Sequence, residues 1–211
     1  MSAIVATGRW PERLDLMGTG LTGRTLGVIG AGRIGKELLR LARAFDLKLL
    51  AADPYAERLE LEYIGARPVP LAELMAQSDF VVITCLLNEE TRGLVGAREL
   101  ALMKPTAYLI NVARGPVVDE KALYQALAAR RIAGAGLDVF EEEPTPADNP
   151  ILRLDNVIVS PHALCWTDEL FGNIARTAIG AIVAVHDGRR PEFVVDPAAL
   201  AHPRTQAWLK A

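Results

Sequence analysis

The sequence predicts an α/β fold, a doubly wound parallel sheet with helices on both of its faces. From Arg24 onward, short apolar or β-branched runs alternate with segments of helical periodicity. The first run ends in the motif GAGRIG, residues 30–35, where the first helical segment begins. Strands that alternate with helices run parallel, because each helix returns the chain to the same edge of the sheet. The carboxyl ends of the strands are therefore expected to share one edge.

Each predicted strand is a short apolar run bounded by glycine, proline or polar residues. The predicted strands are residues 25–29, 47–52, 80–85, 107–112, 133–139 and 156–160. The predicted helices are residues 34–45, 57–64, 70–77, 96–103, 119–131 and 168–186. Asp119 is expected to cap the helix that follows it, because an aspartate side chain accepts hydrogen bonds from the first free N–H groups of a helix.

The pattern divides the chain into three parts. Residues 1–23 lack strong periodicity and are predicted to be a leading segment or the remnant of an interdomain helix. Residues 24–187 are predicted to form a single domain, and residues 188–211, which contain several prolines, a C-terminal tail.

Composition excludes several classes of partner. The chain has 211 residues, 51% hydrophobic and 23% charged, with a formal net charge of −3, as in a folded globular protein. Without a basic cluster, we expect neither nucleic acid nor an anionic membrane as a partner. The longest apolar runs, residues 80–87 and 179–185, are too short to span a bilayer. Cys85 and Cys165 lie far apart, so we expect no disulfide and no metal site, and a cytoplasmic location.

The glycine motif has the spacing of a dinucleotide-binding loop. Gly30 would make the turn, Gly32 would let the backbone approach a pyrophosphate, and Gly35 would let helix and strand pack closely. The phosphates would rest on the free N–H groups of Arg33 and Ile34, where the helix dipole favours negative charge. The motif therefore predicts a dinucleotide cofactor.

Asp53 ends the second predicted strand, 18 residues after Gly35. A carboxylate at this position accepts hydrogen bonds from the adenosine ribose and would repel a 2′-phosphate. The predicted cofactor is therefore NAD rather than NADP.

Three later strands deliver chemically useful residues to the same edge. Arg114, Glu143 and His162 each follow one of the predicted strands, so they are expected to converge beside the cofactor. Arg114 offers a fork of donors for a carboxylate or a polarised carbonyl, and His162 can exchange a proton near neutral pH. A Glu143 carboxylate next to the imidazole would hold the ring. Together they predict hydride transfer coupled to proton transfer.

Four motifs in this order resemble the NAD-dependent D-isomer-specific 2-hydroxyacid dehydrogenase family. They are residues 30–35 with Asp53, residues 111–115 (NVARG), residues 136–144 (GLDVFEEEP) and residues 160–162 (SPH). The resemblance covers roughly residues 20–197 and implies a Rossmann-like NAD-binding domain that acts on a 2-hydroxy or 2-keto acid.

The resemblance also implies a role for each matching residue. Arg114 would bind the substrate, His162 would be the general acid/base, and Glu143 would be its carboxylate partner. Asp138 would meet the nicotinamide carboxamide, with Val112 and Ala113 lining the same end of the cofactor. Members of the family often pair through this domain, so a homodimer is expected.

Two hypotheses stay open at this point. In members of the family, much of a separate substrate domain precedes the nucleotide-binding domain, whereas this glycine loop begins at residue 30, so we expect that domain to be missing. The chain would then be either a 2-hydroxyacid dehydrogenase portion that transfers hydride, or a truncated NAD-binding or dimerisation module without useful turnover. The side chain of the substrate is left open.

Overall fold

The fold rests on a parallel sheet of seven strands. A computed structural model describes residues 5–16 and 18–209. Residues 1–4, 17 and 210–211, which belong to the predicted leading segment and tail, lie outside the described residues. The strands within the described part are Thr25–Ile29 (β1), Lys48–Ala52 (β2), Ala66–Pro68 (β3), Phe80–Ile83 (β4), Tyr108–Asn111 (β5), Gly134–Leu137 (β6) and Val157–Val159 (β7). Every pair of neighbours is parallel, which confirms the predicted fold class.

Helices connect the strands and follow the last one. In the described residues they are Arg33–Ala42 (α1), Arg58–Ile64 (α2), Leu71–Gln77 (α3), Ala97–Leu102 (α4), Glu120–Ala128 (α5), Asp168–His186 (α6), Ala198–Ala201 (α7) and Pro203–Trp208 (α8). Asp119 caps α5 as predicted, accepting a hydrogen bond from the N–H of Ala122 at 2.9 Å. The predicted first helix extends to Phe45 because a turn of 3₁₀ helix, Arg43–Phe45, continues α1.

Several short elements were not predicted from the sequence. β3 has only three residues and contains an arginine and a proline, so it carries no apolar alternation. A 3₁₀ helix, Trp10–Leu16, lies in the predicted leading segment, and α7 and α8 lie in the predicted tail. Each is too short to impose a clear hydrophobic period on the sequence.

Strand order creates the crevice for a ligand. The order is β3-β2-β1-β4-β5-β6-β7, so the chain moves outward on one side of β1 and then crosses to its other side at β4. The connections after β1 and β4 therefore leave the sheet in opposite directions. A cleft opens at this switch point, beyond the carboxyl ends of the strands.

The core lies on both faces of the sheet. On β4, Val81 and Ile83 belong to one cluster of buried side chains, while Val82 between them belongs to the other. Leu39 of α1 packs in the cluster with Val82, and Leu109 of β5 packs in the cluster with Val81 and Ile83. Because both faces are covered by apolar side chains, the strands hold a fixed register, and their carboxyl ends are fixed with them.

The described chain forms two compact units. The first reaches His162 and contains the whole sheet, and the second begins at Ala163 and contains α6, α7 and α8. The predicted boundary at residue 187 stays a prediction. In the portion of the chain that the structure covers, no helix combines the length and the apolar character needed to cross a membrane.

Asp79 links the amino ends of the central strands β1 and β4 by hydrogen bonds. It is 8% exposed, and its carboxylate accepts hydrogen bonds from the Thr25 N–H at 2.8 Å and from Lys104 Nζ at 3.0 Å. Burial alone would raise the pKa of Asp79. Those two hydrogen bonds and the charges of Lys104 and Arg24 outweigh burial, so the pKa of Asp79 lies below its ordinary value.

The substitution Asp79→Asn is expected to lower the free energy of unfolding by about 1–3 kcal/mol at neutral pH, because it removes charge-assisted hydrogen bonds to a buried carboxylate. A carboxylate whose pKa is lowered by folding contributes stability above its unfolded pKa of about 3.9, and that contribution is lost as pH falls through the folded pKa. Urea unfolding of both proteins should therefore give a large difference at pH 7 that shrinks in acid. Asp155→Asn, at an exposed ion pair with Arg130, is the control. If Asp79→Asn lowered the free energy of unfolding equally at pH 7 and in acid, the lowered pKa of Asp79 would be contradicted.

Candidate active site

The glycine loop packs so tightly that two of its positions exclude any side chain. Gly30 has a φ of +89°, and a Cβ there would lie 2.5 Å from backbone atoms of Cys85. A Cβ at Gly35 would lie 2.2 Å from the carbonyl oxygen of Gly30. The loop is further fixed by Thr84, whose hydroxyl donates to the Gly30 carbonyl at 2.6 Å. The turn between β1 and α1 therefore has one shape, set before any ligand binds.

Gly32 differs from the other two glycines because it borders open space. It is the N-cap of α1, and a Cβ built there would meet no atom within 4 Å. The N–H groups of the first turn have no partner within a helix, so those of Arg33 and Ile34 are suited to an anion. Arg33 and Ile34 are both exposed at this end of α1. The room and the donors fit a pyrophosphate.

Asp53 is tied to the same loop. Its Oδ2 accepts a hydrogen bond from the Ala31 N–H at 2.7 Å, and its Oδ1 accepts one from the Tyr55 N–H at 2.8 Å. A carboxylate has about four acceptor positions, so two bonds fix the group and leave capacity for hydroxyl donors. This geometry fits the ribose role that its place in the sequence predicts.

Two adjoining clefts run along the carboxyl edge. The first, of about 610 Å³, is lined from Asp53 and Pro54 on one side to Leu86 and Thr91 on the other. The second, of about 500 Å³, reaches Val112, Ala113 and Arg114. Both are lined by Ile34, Thr84, Cys85 and Leu86. The continuous trough has a ribose acceptor at one end and the predicted nicotinamide-side residues at the other, as an extended dinucleotide requires.

Asn111 shapes the loop that carries Arg114. Its side chain is buried, accepts a hydrogen bond from the Ala113 N–H at 3.0 Å and donates one to the Arg114 carbonyl at 3.1 Å. Arg114 is an exposed residue, and its Nη1 donates to the Ala113 carbonyl at 2.6 Å. Asn111 was not predicted to be a functional residue, although a polar residue that ends a buried strand is a signal for such a role.

Gly115 brings the Arg114 loop against the Glu143 loop. A Cβ at Gly115 would lie 1.8 Å from the carbonyl carbon and oxygen of Phe140. The N–H of Phe140 in turn donates to Glu143 Oε1 at 2.9 Å. The loops after β5 and β6 therefore touch through backbone atoms, which only a glycine permits.

Glu143 and His162 form a hydrogen-bonded pair. The two atoms, His162 Nδ1 and Glu143 Oε2, lie 2.8 Å apart, and the His162 side chain is 43% exposed. Partial burial alone would raise the pKa of Glu143. The hydrogen bonds from Phe140 and His162 outweigh burial, and the charge of Arg114 adds to them, so the pKa of Glu143 is lowered. Glu143 is thus an ionised partner that orients the imidazole.

His162 is held by its backbone as well as by its ring. It has a φ of +54°, which is uncommon for a residue other than glycine, and its N–H donates to the Asp138 carbonyl at 2.8 Å. Asp138 is 5% exposed, and its Oδ1 accepts a hydrogen bond from Ser160 Oγ at 2.6 Å. Ser160 is a second residue that the sequence analysis did not single out.

The predicted site residues thus fall into two groups along the carboxyl edge of the sheet. The glycine loop and Asp53 lie at the ends of β1 and β2, and the other predicted residues lie at the ends of β5, β6 and β7. His162 and Glu143 are in contact, and Arg114 is near enough for its charge to act on Glu143. An imidazole held by a carboxylate beside a guanidinium can bind an anion and exchange a proton at the same place. Among the described residues, no group of three or more potential ligands is arranged to hold a metal ion.

Comparison with known proteins identifies what the chain resembles. Residues 1–163 match the family model for the D-isomer specific 2-hydroxyacid dehydrogenase, NAD binding domain.

Two curated relatives and one solved structure are similar to most of this chain. Over 91% of its own length, the chain is 40% identical to glyoxylate reductase of Korarchaeum cryptofilum. This chain is also 44% identical, over 87% of its own length, to D-3-phosphoglycerate dehydrogenase of Methanocaldococcus jannaschii. It covers 59% and 34% of those two relatives, so it spans between a third and three fifths of their length. The crystal structure of D-lactate dehydrogenase with NAD⁺ from Lactobacillus jensenii superposes with a TM-score of 0.80 at 30% identity, covering 86% of this chain and 58% of that one.

The substitution Gly115→Ala is expected to destabilise the first unit by about 1–3 kcal/mol or more, because the added methyl group overlaps the Phe140 backbone and forces the two loops apart. Gly136→Ala is the matched control, since its Cβ would lie 3.8 Å from Ile110, an ordinary contact distance. Urea unfolding measures both changes. The close approach of the two loops would be refuted if Gly115→Ala were as stable as Gly136→Ala.

Proposed function

The chain belongs to the family of D-isomer specific 2-hydroxyacid dehydrogenases as its NAD binding domain, and we propose that it transfers a hydride between NAD(H) and a 2-hydroxy acid/2-keto acid pair. The observation that carries the proposal is the His162–Glu143 pair beside Arg114, at the edge of the sheet where the glycine loop and Asp53 also lie. The substrates named for the relatives are all acids of this chemical class.

Different residues along this edge of the sheet would hold different parts of the cofactor. Gly30, Gly32 and Gly35 with the N–H groups of Arg33 and Ile34 would receive the pyrophosphate, and Asp53 the adenosine ribose. Val112, Ala113 and Asp138 would hold the nicotinamide end. When bound, NAD supplies or accepts the hydride.

Arg114 would bind the substrate carboxylate. A guanidinium presents parallel N–H donors that match the two oxygens of a carboxylate, and an exposed side chain can reach a ligand above the trough. Binding the carboxylate there places the adjacent carbonyl or hydroxyl oxygen toward the imidazole of His162. The arginine thus orients the substrate and neutralises its charge.

His162 would exchange the proton that accompanies hydride transfer. Because Nδ1 is engaged with Glu143, Nε2 is the ring nitrogen left to face the substrate oxygen. It gives a proton to that oxygen during reduction and takes one from the hydroxyl during oxidation. Glu143, ionised by its lowered pKa, keeps the ring in this orientation.

A cofactor-binding or dimerisation module without useful turnover is the second candidate. One observation favours it: Arg114 is exposed and His162 is 43% exposed, so water reaches the groups that would act on the substrate. Hydride transfer generally takes place where water is excluded. NADH binding measured by calorimetry, together with no oxidation of NADH by any 2-keto acid, would support this candidate over the first.

We propose that the chain forms a homodimer through α6. This 19-residue helix exposes a series of large apolar side chains, namely Phe171, Ile174, Ile179, Ile182, Val183 and Val185. Exposed apolar faces of this kind favour association. We also propose a cytoplasmic location, which the free thiols of Cys85 and Cys165 support.

The substitution His162→Gln is expected to lower kcat for 2-keto acid reduction by about 10²- to 10⁴-fold, the usual contribution of a general acid. The dissociation constant of NADH should be unchanged, because the imidazole acts on the substrate. The matched control is His186→Gln, since His186 is an exposed histidine whose Nδ1 lies 3.1 Å from Asp187 Oδ1. Loss of NADH absorbance gives kcat, and fluorescence titration gives the affinity. A His162→Gln protein with the wild-type kcat would refute the proposed role.

The wild-type chain is expected to run at twice its 22.8 kDa mass in light scattering coupled to gel filtration. Ile182→Asp should raise the dimer dissociation constant by about tenfold or more, because a charge would be buried in an apolar contact. Thr177→Asp puts the same charge on another face of α6 and should leave the mass unchanged. A monomeric wild-type chain at high concentration would disprove the homodimer.

A further inference from the structure

A hydrogen bond spans the cleft at its adenosine end. The hydroxyl of Tyr55, in the loop after β2, donates to Glu90 Oε2, in the loop after β4, at 2.6 Å. Because β1 lies between β2 and β4, this bond crosses over the end of β1, where the glycine loop begins. Both side chains are exposed, and both line the cleft of about 610 Å³.

The backbone that presents Glu90 is held in a tight turn. Asn88 Oδ1 accepts hydrogen bonds from the N–H groups of Glu90 and Thr91, both at 3.0 Å. The hydroxyl of Thr91 donates to the Leu86 carbonyl at 2.5 Å. Glu90 is thus fixed at its backbone by the turn and at its carboxylate by Tyr55. These hydrogen bonds give the charge of Glu90 a defined position.

The charge balance of the cleft depends on Glu90. Among the described residues that line it, the charged side chains are Arg33, Asp53 and Glu90. Arg33 begins α1, where the pyrophosphate is expected, so its charge serves that end of the cleft. The remaining two charges are carboxylates, one on each side of the space expected for the adenosine ribose.

We propose that Glu90, positioned by Tyr55, is a second specificity-determining residue that excludes a 2′-phosphorylated dinucleotide from this cleft. The inference rests on the proposed placement of the cofactor, with Asp53 at the ribose. A 2′-phosphate carries close to two negative charges and would lie between two fixed carboxylates. NAD has hydroxyl groups at this place and meets no such repulsion.

Tyr55 keeps its role across the physiological pH range. Its hydrogen bond to Glu90 and the charge of Glu90 raise the pKa of the Tyr55 hydroxyl. The phenol therefore stays protonated at neutral pH and remains a donor to the Glu90 carboxylate.

The test compares binding of NADH and NADPH to the wild-type chain and four variants. Glu90→Gln is expected to lower the dissociation constant of NADPH by about 3- to 10-fold with little change for NADH, since one unit of nearby negative charge is removed. Tyr55→Phe should give part of this change, and adding it to Glu90→Gln should give no more than Glu90→Gln alone. Glu89→Gln is the matched control, because Glu89 is also exposed but lies outside the cleft lining.

Where NADPH binds weakly, its dissociation constant is obtained from its competition with bound NADH, followed by NADH fluorescence. The gain in Glu90→Gln should shrink as salt is raised, because exposed charges are screened. Detectable NADPH binding in Glu90→Gln but not in wild type or Glu89→Gln also supports the proposal. Equal ratios of NADPH to NADH affinity in Glu90→Gln and Glu89→Gln would overturn it. A wild-type chain that binds neither dinucleotide would instead overturn the proposed function.

Discussion

The hydrogen bonds of Asp138 are the interactions on which the candidate active site depends. Its N–H donates to the Asn111 carbonyl at 3.1 Å, and its carbonyl accepts from the His162 N–H at 2.8 Å. Its carboxylate accepts from Ser160 Oγ at 2.6 Å. One buried residue at the end of β6 thus joins the ends of β5 and β7, and with them the loops of Arg114 and His162.

This arrangement explains how exposed side chains can hold defined positions. A carboxylate as buried as that of Asp138 is tolerated only when it is hydrogen bonded. Its hydrogen bond from Ser160 therefore holds the end of β7 beside the end of β6. Gly115 adds a backbone contact between the Arg114 and Glu143 loops, and Glu143 then holds the ring of His162. The backbones of Arg114 and His162 are therefore held by the buried residues Asn111 and Asp138, while Arg114 and His162 are themselves exposed. Preorganisation of this kind places reacting groups before the substrate arrives.

The sequence predicts the fold and most of the site because strand ends determine both. Apolar runs locate the strands, and residues that follow them, such as Asp53 and Arg114, must lie at the carboxyl edge whatever the details of packing. The bond between Tyr55 and Glu90 could not be predicted, since it joins residues 35 apart and depends on β2 and β4 flanking β1. The support given by Asn111 depends on side-chain geometry, which hydrophobic periodicity does not encode.

The central claim is that this edge of the sheet brings NAD and a 2-keto acid together for direct hydride transfer. The most direct measurement uses NADH carrying deuterium at both C4 positions of the nicotinamide, incubated with the chain and a 2-keto acid that has a carbon side chain. The product is analysed by mass spectrometry and chiral chromatography. We expect deuterium at C2 of the 2-hydroxy acid and a single enantiomer of the product. Product without deuterium, or bound NADH that transfers none to any 2-keto acid, would contradict it.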